Sequence, residues 1–282
     1  MRIRYRYLIL LLFLPALAIA DCDGKWSINI DKNNIQFNQD LSANIPVYIQ
    51  LSKNLQQCSP RLTFVSLDNR KQGVLKNRAD TLEAQLLDKN FRQLSYEPRF
   101  GFGLPLENSP VTRMWIKIPK AKLANAGNYS AQLDAKMILE SGTKRLRKTV
   151  KLNIPAFVSL TASTNSSTLR GMGSNAYALE LGTIESNKKY LAEFDLISNS
   201  NVKVRVKQKY GALTNKASKE LKIPYTFRIN NTPASNNSTF SFSNRSGVKN
   251  WGIPFEVTIG NADFARAGKY QDTITVEVKA MP

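Results

Sequence analysis

Two cysteines, Cys22 and Cys58, are the side chains in this sequence whose type and number point to a defined covalent chemistry. In an oxidising compartment two such thiols form one disulfide, and closing a loop of that size contributes roughly 3–4 kcal/mol. As metal ligands or nucleophiles they would need partners, and the sequence contains no histidine. That removes the commonest metal ligand and the commonest general base together. Neither a phosphate-binding G-x-x-x-x-G-K-[ST] loop, nor a G-x-S-x-G elbow, nor an H-E-x-x-H or C-x-x-C pair occurs. Acidic residues are sparse and separated, so a carboxylate pair could meet only through the fold. The sequence therefore predicts no enzyme, no cofactor and no metal site.

The oxidising compartment follows from the first twenty residues. Arg2, Arg4 and Arg6 form a positive start, Leu8 to Leu14 is a short apolar run, and Ala18-Ile19-Ala20 is a small-residue cleavage site. The run ends at Pro15, well short of the ~20 apolar residues that a membrane-spanning helix needs. Residues 1–20 are read as a signal peptide and the mature chain as beginning at Asp21. The formal charge of +19 includes those three arginines and no acid from this segment, leaving +16 for the mature chain. Such an excess suits nucleic acid, an anionic surface or simple solubility; export argues against nucleic acid. The local cluster Lys144, Arg145, Arg147, Lys148 and Lys151 is read as a solvated strand face.

Around these residues the chain alternates apolar and polar side chains at period two, the pattern of half-buried strands. Clear cases are Trp26–Ile30, Val47–Leu51, Leu62–Val65, Met114–Ile118, Val202–Val206 and Ile274–Val278. Asn, Gly, Ser and Pro fill the gaps. Arg78 to Leu87 tempts a helical reading but is taken as a strand preceded by a turn. Short strands at this spacing predict an all-β protein of two immunoglobulin-like β-sandwich domains.

An internal repeat sets the organisation. Residues 114–129 read MWIKIPKAKLANAGNY and residues 255–270 read FEVTIGNADFARAGKY. Ala126, Gly127 and Tyr129 match Ala267, Gly268 and Tyr270 at a constant offset of 141 residues. In each copy a strand, a connector, an Ala-Gly turn and a tyrosine-led strand follow one another. The boundary is placed near Ile154-Pro155-Ala156, giving domains at residues 21–155 and 156–282.

The second half carries Leu181-Gly182-Thr183-Ile184, Ile223-Pro224-Tyr225-Thr226 and Ala267-Gly268-Lys269-Tyr270-Gln271-Asp272-Thr273-Ile274-Thr275-Val276. With these segments it resembles the spore coat protein U domain, which makes up the subunits of archaic (Csu-type) chaperone–usher pili. The resemblance covers about residues 157–282. The first half keeps Ala126-Gly127-Asn128-Tyr129, but Ser130-Ala131-Gln132 stands where the family has Gln-Asp-Thr. Two-domain members are tip adhesins with an N-terminal binding domain and a C-terminal pilin domain. The resemblance implies a periplasmic chaperone, an outer-membrane usher and a next pilus subunit as partners. It also implies export through the periplasm to the cell surface, with a host or abiotic surface as target.

The two halves differ after the tyrosine strand. The first continues through a turn at Glu140–Thr143 into an alternating strand, Leu146–Leu152, whereas the sequence stops at Pro282. The second sandwich is expected to lack its last strand, leaving Ile274, Val276 and Val278 along an acceptor groove for a donated strand. The alternative is a complete domain with one strand fewer. Cys22 is expected to tie the mature terminus into the first domain, so that the subunit accepts a strand and donates none.

A binding segment is sought in Asn90–Pro110, which contains Phe91, Tyr96, Phe100, Phe102 and Leu104. Phe100 and Phe102, alternating about Gly101, are expected to project from a loop tip as a surface-binding patch. The alternative is that these rings fold back and cap the core. Other readings of the whole chain are a structural coat or pilus subunit without adhesive role and, more remotely, a periplasmic pilus chaperone.

Overall fold

The computed structural model describes residues 22–58, 60–66, 73–78, 80–107, 109–164, 169–173 and 175–281. The signal segment and Pro282 lie outside the described residues. The first half contains β1 (Trp26–Ile30), β2 (Gln36–Phe37), β3 (Ala43–Leu51), the short helix α1 (Lys53–Gln57), β4 (Arg61–Ser66), β5 (Gly73–Asn77) and β6 (Asp80–Leu87). It continues with β7 (Tyr96–Glu97), β8 (Gly101–Leu104), β9 (Val111–Ile118), β10 (Gly127–Leu139) and β11 (Gly142–Ile154). The second half contains β12 (Val158–Ala162), β13 (Leu169–Gly171), β14 (Tyr177–Leu179), β15 (Lys189–Ser198), β16 (Asn201–Gln208) and β17 (Ala212–Asn215). It ends with β18 (Lys222–Ile229), β19 (Thr232–Pro233), β20 (Thr239–Phe242), β21 (Lys249–Ile259), β22 (Tyr270–Gln271) and β23 (Ile274–Met281). All pairings between named strands are antiparallel.

Period-two alternation is what makes these strands half-buried. In β16, Val202, Val204 and Val206 are buried while Asn201, Lys203 and Arg205 face solvent. In β3, Val47, Ile49 and Leu51 point inward and Gln50 outward. The inward sets form two separate cores, one drawn from residues 28–154 and the other from residues 190–259. The protein is all-β and consists of immunoglobulin-like β-sandwiches. The cluster Arg145, Arg147, Lys148 and Lys151 lies exposed on β11, with Arg147 paired to Asp134.

The repeat read from the sequence extends to the topology. The first half runs β1-β3-β9-β6-β5-β10-β4-β8 in pairing order, and the second runs β12-β15-β21-β18-β17-β22 and β23-β16-β20. Strands β22 and β23 are together the counterpart of β10, interrupted at Asp272-Thr273. Asp272 holds that interruption by accepting hydrogen bonds from the backbone N–H of Tyr210 and from the Tyr225 hydroxyl.

Each copy opens this strand with a tyrosine corner. The Tyr129 hydroxyl lies 3.0 Å from the Asn125 carbonyl and 2.7 Å from Asp80 Oδ2. The Tyr270 hydroxyl donates to the Arg266 carbonyl at 2.8 Å. Gly127 and Gly268 precede them with φ of +142° and +156°. A β-carbon at either would collide with a side-chain amide, of Asn77 and Asn215 respectively, so both turns require glycine. Burial raises the Tyr129 hydroxyl pKa, and Asp80 raises it further. Replacing Tyr129 by Phe removes a bond to a carboxylate and is expected to cost about 1.5–3 kcal/mol. At half-buried Tyr270 the same change removes a neutral bond, for about 0.5–1.5 kcal/mol. Paired denaturant titrations check the order.

Two expectations are settled here. Residues 80–87 are a strand, as read, with Arg78 in the turn before it. The segment Asn90–Pro110 is a correction: it is not a projecting loop but contains β8, which pairs with β4, and β7, which pairs with β8. Phe102 (5% exposed) and Leu104 are core residues, opposite Phe64 and Leu62. The cause is Gly101, whose φ of +93° lets β8 press against the Phe64 carbonyl, where a β-carbon would clash. Phe100 and Phe102 therefore part company. Phe100 remains half-buried outside under the Arg61 guanidinium, 4.7 Å from its ring centre. Tyr96 is half-buried, edge-on to Phe102. Phe91, at 50%, is the exposed member of the set.

Candidate strand-acceptor groove and outer aromatic face

The groove is defined by comparison of β10 with β23. Strand β10 is paired on both sides: β5 and β4 on one edge, and β11 along its whole length on the other, from Gly127 opposite Ile154 to Leu139 opposite Gly142. Strand β23 pairs with β16 on the edge equivalent to β4's. Among the described residues no strand pairs with its other edge. The consequence is visible in burial. Leu133, Ala135, Met137 and Leu139 of β10 are buried, whereas their repeat counterparts Ile274, Val276, Val278 and Ala280 are half-buried.

The facing wall is β12, which packs across from β23 and carries half-buried Val158, Leu160 and Ala162. Two rows of half-buried aliphatic side chains thus flank a strand edge that, among the described residues, no strand pairs, an arrangement on which another strand can pair. The outward face of β23 is polar. There Lys207 hydrogen-bonds Glu277 and holds that carboxyl below its usual range. A strand laid along this edge would find apolar contacts on one side only, which fixes its register by the side-chain alternation.

At the other end of the molecule Cys22 and Cys58 are bonded, with Cα atoms 5.8 Å apart across a sequence separation of 36. The bond holds the segment before β1 against the end of α1. Lys144 on β11 adds a 2.6 Å ion pair to Asp23. Thiol labelling of denatured, unreduced protein is expected to find no free cysteine. The Cys22→Ser, Cys58→Ser double variant should lose roughly 3–4 kcal/mol of first-sandwich stability.

A second feature escaped the sequence reading. On the outer face of β9, Trp115 is almost fully buried although it points away from the core. Phe91 stacks on it at 4.8 Å between ring centres, and the Arg113 guanidinium lies 3.9 Å from the indole centre. Tyr48 lies beyond Arg113, at 5.7 Å. Phe91 adopts a left-handed backbone conformation, φ +61°, which is rare for a bulky residue. The clue in the sequence was the alternation itself: Met114, Ile116 and Ile118 face inward, so Arg113, Trp115 and Lys117 face outward. Of the residues sought as a surface patch, only Phe91 belongs to this face. Phe100 sits apart on the β8 side, and Phe102 and Leu104 do not reach the surface.

Among the described residues no three Cys, Asp or Glu side chains gather closely enough to hold a metal ion.

No family model and no curated protein sequence matches the chain. Solved structures do. A chain of the CsuC–CsuE chaperone–tip adhesion subunit pre-assembly complex, from the archaic chaperone–usher Csu pili of Acinetobacter baumannii, is 14% identical. The match covers 78% of this chain and 84% of that one, with a TM-score of 0.41. The CFA/I adhesin CfaE of enterotoxigenic E. coli, solved as a point mutant, is 11% identical over 79% of this chain and 82% of its own, with a TM-score of 0.38. The CupB6 tip adhesin of Pseudomonas aeruginosa is 8% identical over 90% and 93%, with a TM-score of 0.34.

Proposed function

We propose that this chain is the tip subunit of a chaperone–usher pilus, exported through the periplasm to the cell surface. Its second sandwich accepts a strand from the next subunit, and its first sandwich attaches to a host or abiotic surface. One observation carries the reading: among the described residues the edge of β23 is unpaired where the matching edge of β10 is filled by β11. A strand donated by another polypeptide would take the place that β11 takes in the first half. Before assembly the same edge would be covered by a periplasmic chaperone, and the outer-membrane usher would exchange chaperone for subunit. The Cys22–Cys58 bond holds residues 22–25 against the first sandwich, which suits a tip subunit if the mature chain starts at Asp21. For attachment, the ring of Phe91 over Trp115 is, at 50%, the most exposed large apolar side chain of the first sandwich among the described residues.

The test is Val276→Asp with Val278→Asp. Both side chains are half-exposed in the chain by itself, so the purified variant is expected to fold. A charged groove does not accept an apolar strand, so the variant is expected to be absent from surface fibres that contain the wild-type chain. Equal incorporation of the variant would refute the acceptor role.

A further inference from the structure

The contact between the two sandwiches is built on a connector that the chain carries twice. The connector after β9, residues 119–126, carries the second sandwich. The Leu123 carbonyl accepts a 3.0 Å bond from the Val248 N–H, and the Ala126 N–H donates a 2.9 Å bond to the Asn199 carbonyl. Gly247, with φ +62°, brings its backbone so close to the Leu123 carbonyl that a β-carbon would clash. The repeat supplies a second copy of this connector, residues 260–267 after β21. It keeps one turn bond in common, the Ala124 N–H to the Ala121 carbonyl at 3.2 Å and the Ala265 N–H to the Ala262 carbonyl at 3.0 Å, although residues 121–123 form a 3-10 helix and residues 262–264 do not. The tyrosine corner closes on the same backbone position in each.

What differs is the covering. Ala124 is 5% exposed and Ala126 half-buried, while Ala265 and Ala267 are exposed. Leu123, itself 42% exposed, is matched by Phe264, which at 95% is the most exposed large apolar side chain among the described residues. Among the described residues the Phe264 carbonyl and the Ala267 N–H hold no hydrogen bond, although their counterparts are two of the groups that bind the second sandwich. A phenyl ring so displayed, flanked by a preformed donor and acceptor, fits an unmet interface.

Strand geometry says what meets it. β11 fills the first groove and ends with Ile154 opposite Gly127; only Pro155 to Phe157 then precede β12. The strand in the groove and the sandwich seated on the connector are thus one continuous polypeptide. A strand laid on β23 in the same sense would end opposite Gly268, which sets its parent sandwich over residues 260–267.

We infer that residues 260–267 dock the end of the immunoglobulin-like subunit whose strand fills the β23 groove, with Phe264 as anchor. This deepens the fibre reading and rests on it. The partner surface needs a free N–H for the Phe264 carbonyl and a carbonyl for the Ala267 N–H. It also needs a glycine where this chain has Gly247, and a recess for the phenyl ring. A second copy of this chain would offer its own version of that surface only with its first sandwich displaced from Asn199 and Val248. A different subunit is therefore the occupant.

The experiment places a benzophenone amino acid at position 264 of the full chain in the producing cells and irradiates intact fibres. The expected product joins this chain to one other polypeptide, with the cross-linked peptide in end loops of its sandwich. Fibres that contain the chain but yield no product from position 264, or one with a second copy of it, overturn the inference and leave the strand-acceptor reading standing. Absence of the chain from all fibres overturns both. In parallel, Phe264→Ser should leave thermal unfolding of the purified chain unchanged and speed release of the subunit from sheared fibres about tenfold. Unchanged release would count against the anchor.

Discussion

Repeating the segment Glu140–Ile154 after Ala280 raises the unfolding midpoint of the second sandwich by about 15 °C or more, on the scale expected for a domain of this size. The graft reproduces the β10–β11 hairpin on β23, because Leu139 and Ala280 are repeat counterparts. Strand β11 brings in Val150, Leu152 and Ile154, all buried where they now lie, and partly buried Leu146. In the second sandwich such residues would cover Ile274, Val276 and Val278, which are half-buried without them. At roughly 1.5–3 kcal/mol for each fully buried aliphatic side chain, the gain is on the order of 5 kcal/mol after ordering the added chain. That is comparable to the whole stability of an ordinary domain. Scanning calorimetry reads the second sandwich separately if the two unfold as distinct transitions. A hairpin that leaves the midpoint where it was would mean that the edge of β23 does not accept a strand.

Phe102→Ala and Phe91→Asn separate core from surface in the segment first sought as a binding loop. Phe102 packs in the first core and meets Tyr96 edge-on at 5.1 Å, so its truncation is expected to cost about 3–5 kcal/mol. Attachment should then fall only as folded protein falls. Phe91 is half-exposed and sits in a left-handed conformation, which asparagine adopts more readily than phenylalanine. Loss of its stack on Trp115, worth about 0.5–1.5 kcal/mol, is offset in part by that relief, so stability should change little. Attachment of cells bearing the assembled fibre should drop severalfold. Unaltered attachment of the Phe91→Asn variant would remove the outer aromatic face from the adhesive role.

Much of the architecture was legible because strand alternation and turn chemistry are local. Val202-Lys203-Val204-Arg205-Val206 can bury one side only as a strand, and it does. The repeated Ala-Gly-x-Tyr was legible because each glycine occupies a conformation that other residues avoid, and each tyrosine bonds a carbonyl four residues earlier. The error at Phe102 came from treating Gly101 as a hinge in a free loop. Nothing local says that β8 will pair with β4, since that partner lies some forty residues earlier and is chosen by the shape of the core.

Sequence by itself determined the all-β class, the repeat, the Cys22–Cys58 pair and the apolar side of the last strand. Each of these depends on residue type and on spacing over a few positions. Tertiary structure decided which apolar residues reach the surface. It buried Phe102 and Leu104, packed Trp115 against Phe91 and Arg113 on an outer face, and left Phe264 95% exposed where its counterpart Leu123, whose backbone carbonyl meets the second sandwich, is 42% exposed. The physical reason is that burial belongs to a pair of surfaces: repeat-related connectors end up covered or exposed according to what the rest of the chain places against them.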